Sequence, residues 1–276
     1  MTKMKTTGTI YKMETSIQFD EIAIVNRVQY QLPLSQQKVY MNDLIGSEVT
    51  LNYEGEIHCI HCGRKTKTSF SQGYCYPCFI SLPQTDTCIL RPELCEAHHG
   101  VSRNMEWAEQ NCLQDHFVYL ANSSGLKVGV TRHSQIPTRW IDQGAWQAIK
   151  LARTPNRYIA GTIEVELKKH MMDKTNWRNM LMDKIDRSLD LRMLKESTAE
   201  ILPEAMQDYV SLDDEVLEFQ YPVLFYPEKV KSINLDKTAQ FSGRLTGIKG
   251  QYLIFEDGYV INMRKYGGYS LSLSVN

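Results

Sequence analysis

Two C-x-x-C pairs decide the fold of the middle of the sequence: Cys59-Ile60-His61-Cys62 and Cys75-Tyr76-Pro77-Cys78, with twelve residues between them. Gly63 and Gly73 stand beside these pairs, and glycine suits the tight turns that aim backbone and sulfur at a metal. Two such knuckles supply four thiolates that can converge on one tetrahedral Zn²⁺. The spacing therefore predicts a zinc ribbon with a structural ion; the alternative is four buried or redox-active thiols.

The remaining three cysteines form a second candidate metal site. Cys88, Cys95 and Cys112 lie within 25 residues of one another. His98 follows Cys95 and His116 follows Cys112 at spacings that suit a metal ligand, so either histidine can supply the fourth group. We take His116 as the candidate, although it can equally be a catalytic helper. The protein is thus predicted to hold one or two zinc ions, and the alternative is small buried side chains.

Hydrophobic patterning predicts strands at both ends of the chain and mixed structure between them. Residues 17–57 alternate in short bursts, and the tail from Leu217 shows short segments separated by turns. Residues 116–121 and 126–131 predict a hairpin. Helical spacing covers residues 137–152, 158–171 and 177–207.

These elements predict an α+β fold in four parts. They are a β-rich amino-terminal element (1–57), a cysteine-rich zinc-binding region (58–115), an αβ core with acidic helices (116–210) and a small carboxy-terminal β-barrel (211–276).

Charge is separated along the chain, although the net charge is −1. Residues 120–180 hold ten basic and four acidic residues, a net +6, whereas residues 181–220 hold four basic and eleven acidic residues, a net −7. Basic side chains bind polyanions by releasing condensed counterions, so nucleic acid is the predicted partner of the first segment. The acidic segment is a candidate docking face for a protein; the alternative for both is an ordinary solvated surface. The candidate nucleic-acid contacts are Arg64, Lys65, Lys67, Arg132 and Arg157.

The sequence excludes several other classes of protein. No apolar run approaches the roughly 18 residues of a membrane span, so no membrane partner is expected. The amino end has no apolar segment after its lysines, and the cysteine pattern suits metal binding in a reducing compartment, so we expect a cytoplasmic protein. The sequence contains no glycine-rich phosphate loop and no His-Glu-x-x-His motif, so we expect neither an ATPase nor a metalloprotease.

Four residues of the 116–210 region have the chemistry that phosphodiester cleavage requires. Tyr119 and Lys127 fall on the predicted strands, and Arg139 and Glu164 fall on the predicted helices. A carboxylate can hold Mg²⁺ or Mn²⁺ through oxygen, and an arginine can stabilise charge that develops on phosphoryl oxygens. A phenol or a lysine can assist proton transfer. Each residue also has a simpler explanation, as a core aromatic or an exposed ion pair.

This region resembles the GIY-YIG nuclease superfamily over roughly residues 116–180. In this resemblance, Phe117-Val118-Tyr119 corresponds to the Gly-Ile-Tyr triplet of the superfamily. Lys127-Val128-Gly129 corresponds to its Tyr-Ile-Gly triplet. The resemblance implies a GIY-YIG-like core in which Tyr119, Lys127, Arg139 and Glu164 are catalytic and Glu164 binds the divalent metal. Lys127 departs from the superfamily's tyrosine, and Glu166 competes with Glu164 for the metal-binding role.

Nearly the whole chain resembles the uncharacterised bacterial family DUF2797. The motifs that carry the resemblance are Gly73-Tyr74-Cys75-Tyr76-Pro77-Cys78, Arg91-Pro92-Glu93, Asp173-Lys174-Thr175-Asn176-Trp177-Arg178 and, most specifically, Ile136-Pro137-Thr138-Arg139-Trp140-Ile141-Asp142-Gln143-Gly144-Ala145. The family pattern has a cysteine before Arg103, where this chain has Ser102, so either the second zinc site is weakened or a histidine replaces that thiolate. The resemblance implies an architecture and no activity.

Three hypotheses of function follow from the sequence. The first is a zinc-binding, nucleic-acid-associated protein with a metal-dependent, endonuclease-like activity. The second is a non-catalytic nucleic-acid-binding module that uses the same surface. The third is a zinc-stabilised protein-interaction scaffold that docks through the acidic residues 181–220.

Overall fold

The structure is a computed structural model that describes residues 4–275 of the 276-residue chain. The described residues contain fifteen strands and seven α-helices, joined by turns and short 3₁₀ segments. The strands are Met4–Thr9 (β1), Glu14–Asp20 (β2), Val25–Leu34 (β3), Gln37–Tyr40 (β4), Glu48–His58 (β5), Lys65–Thr66 (β6), His116–Asn122 (β7), Leu126–Arg132 (β8), Gln147–Thr154 (β9), Val216–Gln220 (β10), Lys231–Ser232 (β11), Gln240–Lys249 (β12), Tyr252–Phe255 (β13), Tyr259–Asn262 (β14) and Tyr269–Val275 (β15). The helices are Tyr76–Ser81 (α1), Met105–Asn111 (α2), Thr138–Asp142 (α3), Arg157–Leu167 (α4), Trp177–Leu181 (α5), Leu191–Ile201 (α6) and Glu204–Gln207 (α7).

The described residues combine two sheets with seven short helices, so the mixed α+β class is confirmed. They divide into two compact units. Unit 1 comprises the described parts of residues 1–79, 181–183 and 220–276. Unit 2 comprises residues 80–180 and 184–219.

Unit 1 is built on a sheet of eight strands in the order β1-β15-β5-β12-β13-β14-β11, with β6 paired to β5. The last strand, β15, lies antiparallel between β1 and β5. Strands β2, β3 and β4 pair antiparallel in chain order.

This strand order differs from the predicted separate barrel at 211–276. Within residues 4–275 the carboxy-terminal strands form no closed barrel, and they share one open sheet with β1 and β5 from the amino-terminal part. Local alternation shows that a segment is a strand, but the choice of partner depends on which edges remain unpaired elsewhere in the chain. The sequence pattern therefore located the strands without showing how they join.

Unit 2 contains the antiparallel strands β10-β9-β7-β8, and the hairpin β7–β8 matches the predicted one. Its core packs apolar residues of the sheet against α4 and α6, among them Val118, Leu120, Ile163 and Leu191. The side chain of Asn156 begins α4, because its Oδ1 accepts a hydrogen bond from the backbone N–H of Ile159 at 2.9 Å.

The predicted helix over 137–152 is wrong beyond its first turn. Helix α3 ends at Asp142, Gly144 has a φ of +67°, and residues 147–154 form the strand β9. Most of β9 is buried, and a strand covered on both faces shows a nearly continuous apolar run instead of alternation. Such a run also satisfies helical spacing, which explains the error.

Candidate functional site

The first cysteine cluster lies in unit 1 and contains all four predicted thiols. The Sγ atoms of Cys59, Cys62, Cys75 and Cys78 lie within 4.8 Å of one another, and those of Cys62 and Cys75 are 3.8 Å apart. Four thiols at this separation match the tetrahedral ligand set of a structural zinc site. The cluster can therefore hold one zinc ion through cysteine alone.

Backbone geometry around Cys59 prepares it for this role. A tight turn follows β5, in which the N–H of Gly63 donates to the carbonyl of Cys59 at 2.9 Å and Gly63 has a φ of +69°. Burial raises the pKa of Cys59, but backbone N–H groups of Cys62, Cys75 and His61 outweigh it and lower the pKa to about 6. The thiolate is the form that binds metal, so the knuckle favours the ligating state.

The second cluster lies in unit 2 and contains three thiols. Cys88, Cys95 and Cys112 are buried, and their Sγ atoms lie within 4.8 Å of one another. Hydrogen bonds among the three groups hold the pKa of Cys112 far below its usual range and raise that of Cys88. This cluster can also hold zinc, with three protein thiolates.

The structure does not bring either predicted histidine into this group. Within residues 4–275, no His98 or His116 ring nitrogen lies within 4.8 Å of all three thiols. His98 stacks on Tyr158 with ring centroids 4.4 Å apart. His116 is buried in β7, its Nδ1 is 2.7 Å from the carbonyl of Gln114, and its Nε2 has no hydrogen-bond partner in the described part of the chain. Burial lowers the pKa of His116 to about 4, so the ring is neutral at pH 7.

Arg157 is not positioned as the predicted phosphate contact. Its side chain is buried and donates to the carbonyls of Cys88 at 3.3 Å and Asn111 at 3.1 Å. The cause is its place at the start of α4, where the guanidinium faces the three-thiol cluster instead of solvent. Arg132, the other candidate from this region, is half-buried and donates to the side chain of Asn111.

The three candidate nucleic-acid contacts between the two C-x-x-C pairs are exposed in unit 1. Arg64 and Lys67 face solvent, and Lys65 forms an ion pair with Glu56 at 2.6 Å. Two of the acidic residues proposed as a docking face have partners inside unit 2: Asp213 pairs with Lys150 and Asp214 with Lys195, both at 2.6 Å. These pairs leave less unpaired negative charge on that segment than the sequence count suggests.

A polar cluster in unit 2 brings together Tyr119 of β7, Lys127 of β8 and Gln143, which follows α3. The Tyr119 hydroxyl donates to Gln143 Oε1 at 3.1 Å, and Lys127 Nζ donates to the same oxygen. Tyr119 and Lys127 are only 1% and 4% exposed. Two strand side chains thus donate to a single acceptor, the amide oxygen of Gln143.

Gly129 explains how Tyr119 reaches this position. Tyr119 and Gly129 are paired residues in the β7–β8 ladder. A Cβ atom at Gly129 would lie 2.5 Å from the Tyr119 hydroxyl oxygen, so any other residue would displace the phenol. The glycine of the Lys127-Val128-Gly129 triplet therefore has a packing role.

Arg139 and Glu164 lie close enough to act on the same cluster. Burial, followed by the Arg139 guanidinium, lowers the pKa of Lys127 to about 7, and the carboxylates of Asp173 and Glu164 oppose this effect. Burial raises the pKa of Tyr119, and Arg139 opposes it. Arg139 and Glu164 thus lie within electrostatic range of Tyr119 and Lys127.

Glu164 differs from Glu166 in its surroundings. Glu164 is buried and pairs with Lys168 at 3.1 Å; burial raises its pKa, and the lysine opposes this rise. Glu166 is half-buried and pairs with Lys169 at 2.5 Å. Of these two glutamates, Glu164 acts on the pKa of Lys127, which favours it as the candidate metal ligand.

The sequence patterns did not single out Gln143, the residue that joins Tyr119 to Lys127. A signal was present, because Gln143 follows Arg139 by four residues, the spacing that places side chains on one helix face. Lys168 follows Glu164 at the same spacing, and the two form the ion pair that this spacing predicts.

The two thiol clusters and two units define a mixed α+β protein whose cysteines are compatible with zinc binding. The chain belongs to the family described as protein of unknown function (DUF2797), whose model matches residues 46–271. No curated protein and no solved structure matches it. In the described part of the chain, no helix is both long and apolar enough to cross a bilayer.

Proposed function

We propose that unit 2 is a divalent-metal-dependent phosphodiesterase that acts on nucleic acid. The observation that carries the proposal is the convergence of Tyr119 and Lys127 on Gln143, with Arg139 and Glu164 beside them. This set provides a proton acceptor, a fixed positive charge and a carboxylate, which are the groups that phosphodiester cleavage requires.

Each residue has a different role in the proposed cleavage reaction. Glu164 would hold Mg²⁺ or Mn²⁺, which supplies charge neutralisation at the phosphate. Arg139 would stabilise negative charge on the phosphoryl oxygens in the transition state. Lys127, with a pKa of about 7, is neutral in a large fraction of molecules at neutral pH and can accept a proton from an attacking water. Tyr119 and Gln143 position the lysine.

The fold supports a GIY-YIG-like core. Strands β9, β7 and β8 form an antiparallel group, with the two triplets on β7 and β8 and the candidate glutamate on α4. The basic segment 120–180 supports a nucleic-acid substrate, and seven free cysteines suit the reducing cytoplasm.

The burial of Tyr119 and Lys127 favours a second candidate, which is nucleic-acid binding without cleavage. Only Arg139 and Gln143 of this cluster are half-exposed, so a bound phosphate would meet these two first.

The test is a nicking assay on supercoiled DNA and single-stranded RNA with Mg²⁺ or Mn²⁺. Wild type should cleave at least one substrate, Glu164→Gln should not, and the matched control Glu166→Gln should cleave normally. Salt-sensitive binding with no cleavage by wild type would leave the non-catalytic function. Binding without a steep dependence on salt would favour the protein scaffold.

A further inference from the structure

A cavity of about 220 Å³ opens directly over the three-thiol cluster of unit 2. Its wall includes Cys88, Cys95 and Cys112 together with Ser102, Arg103 and Trp107. A liquid water occupies about 30 Å³, so the cavity has room for a small organic molecule.

Among the described residues, three side chains supply ligands at this cluster. Neither His98 nor His116 lies with the thiols, as shown above. Structural zinc sites are closed by four protein ligands, whereas three ligands and an open position are typical of zinc sites that bind a further molecule. The open position faces the cavity because the thiols form part of its wall.

The electrostatics favour an anionic ligand at the open position. Three thiolates and one Zn²⁺ carry a net charge of −1, and the buried guanidinium of Arg157 lies against this cluster. Its Nε has no hydrogen-bond partner in residues 4–275. A buried cation with an unused donor offsets the charge that an anionic fourth ligand would add.

We propose that the Cys88–Cys95–Cys112 cluster binds zinc with an open fourth position that takes a small external thiolate. Zinc is borderline-soft and thiolate-rich sites bind further sulfur ligands well. The incoming thiol gives its proton to solvent when its sulfur binds the metal. This site is independent of the phosphodiesterase residues.

Cobalt substitution tests the proposal in the full chain. Each thiolate bound to Co²⁺ adds sulfur-to-metal charge-transfer absorption in the near ultraviolet. With a phosphine reductant present, 2-mercaptoethanol should raise this absorption saturably by about one seventh, since seven cysteine thiolates become eight. The cobalt content should stay at two per chain.

Two variants locate the response. Ser102→Cys places a fourth thiol in the cavity wall and should show the higher absorption without added thiol, and no further response. Cys112→Ser should leave only the unit 1 cluster loaded and should not respond. No saturable change in wild type, loss of cobalt on adding thiol, or an equal response in Cys112→Ser would overturn the proposal.

Discussion

The two cysteine clusters differ in the number of metal ligands that the protein supplies to each. In unit 1 four thiols lie within 4.8 Å of one another, and in unit 2 three do so beside a cavity. Unit 2 holds most of the buried polar atoms that lack partners among the described residues, among them His98 Nδ1, His116 Nε2 and Arg157 Nε, although Thr15 Oγ1 of unit 1 is another. Buried polar groups are usually hydrogen-bonded, so such exceptions often mark functional regions. The contrast favours a structural role for a metal at the unit 1 cluster and agrees with the function proposed for unit 2.

The largest expected effect is the loss of the unit 1 cluster. Structural zinc contributes about 10–16 kcal/mol of apparent binding free energy in zinc-finger peptides, so Cys59→Ser should unfold the knuckle. Elemental analysis should show one zinc fewer per chain, and the melting temperature should fall. A Cys59→Ser protein with unchanged zinc content and melting temperature would contradict the structural role.

Arg139→Ala tests whether unit 2 carries catalysis. Removing a group that stabilises transition-state charge costs about 10²–10³-fold in rate, or about 2.7–4 kcal/mol. Because Arg139 is half-exposed, stability should change little, and the melting temperature provides that control. If the melting temperature of Arg139→Ala falls together with the cleavage rate, the role of Arg139 is structural.

Gly161→Ala should loosen the cysteine segment of unit 2. A Cβ atom at Gly161 of α4 would overlap the backbone N of Glu93, two residues before Cys95. Overpacking of this kind costs about 1–3 kcal/mol, measured by urea unfolding. Zinc affinity of the three-thiol cluster should fall as well, whereas the unit 1 cluster should be unaffected. Wild-type stability in this variant would show that the segment moves freely.

A pH dependence of stability from Lys127 is also expected. Its pKa is about 7 in the folded chain and near 10.5 when unfolded, so between these values the unfolded state binds more protons. Stability should therefore rise with pH from 7 to 10, by at most about 1.4 kcal/mol per pH unit. Arg139, Asp173 and Glu164 also act on this lysine.

Urea unfolding at pH 7 and pH 9 measures this contribution as a difference from Lys127→Met. The variant should show a flatter dependence than wild type. Identical slopes in the two proteins would mean that Lys127 keeps its ordinary pKa in the folded state.

The sequence predicted local features well and long-range ones poorly. The C-x-x-C spacing located the first cluster, and the triplets located Tyr119 and Lys127, because these depend on neighbours in sequence. The placement of β15 between β1 and β5 depends on residues more than 200 positions apart, which no local pattern encodes. The inward direction of Arg157 was missed for the same reason: its charge is visible in the sequence, but its burial is not.

The most direct test of the proposed metal site is the binding of Mn²⁺ at Glu164. Electron paramagnetic resonance on the zinc-loaded full chain measures this binding. We expect one bound Mn²⁺ in wild type and in Glu166→Gln, and none in Glu164→Gln. Lys168→Met should bind Mn²⁺ more tightly, because it removes the cation that pairs with Glu164 at 3.1 Å. Equal Mn²⁺ binding by wild type and Glu164→Gln would contradict the assignment of a metal-dependent site to unit 2.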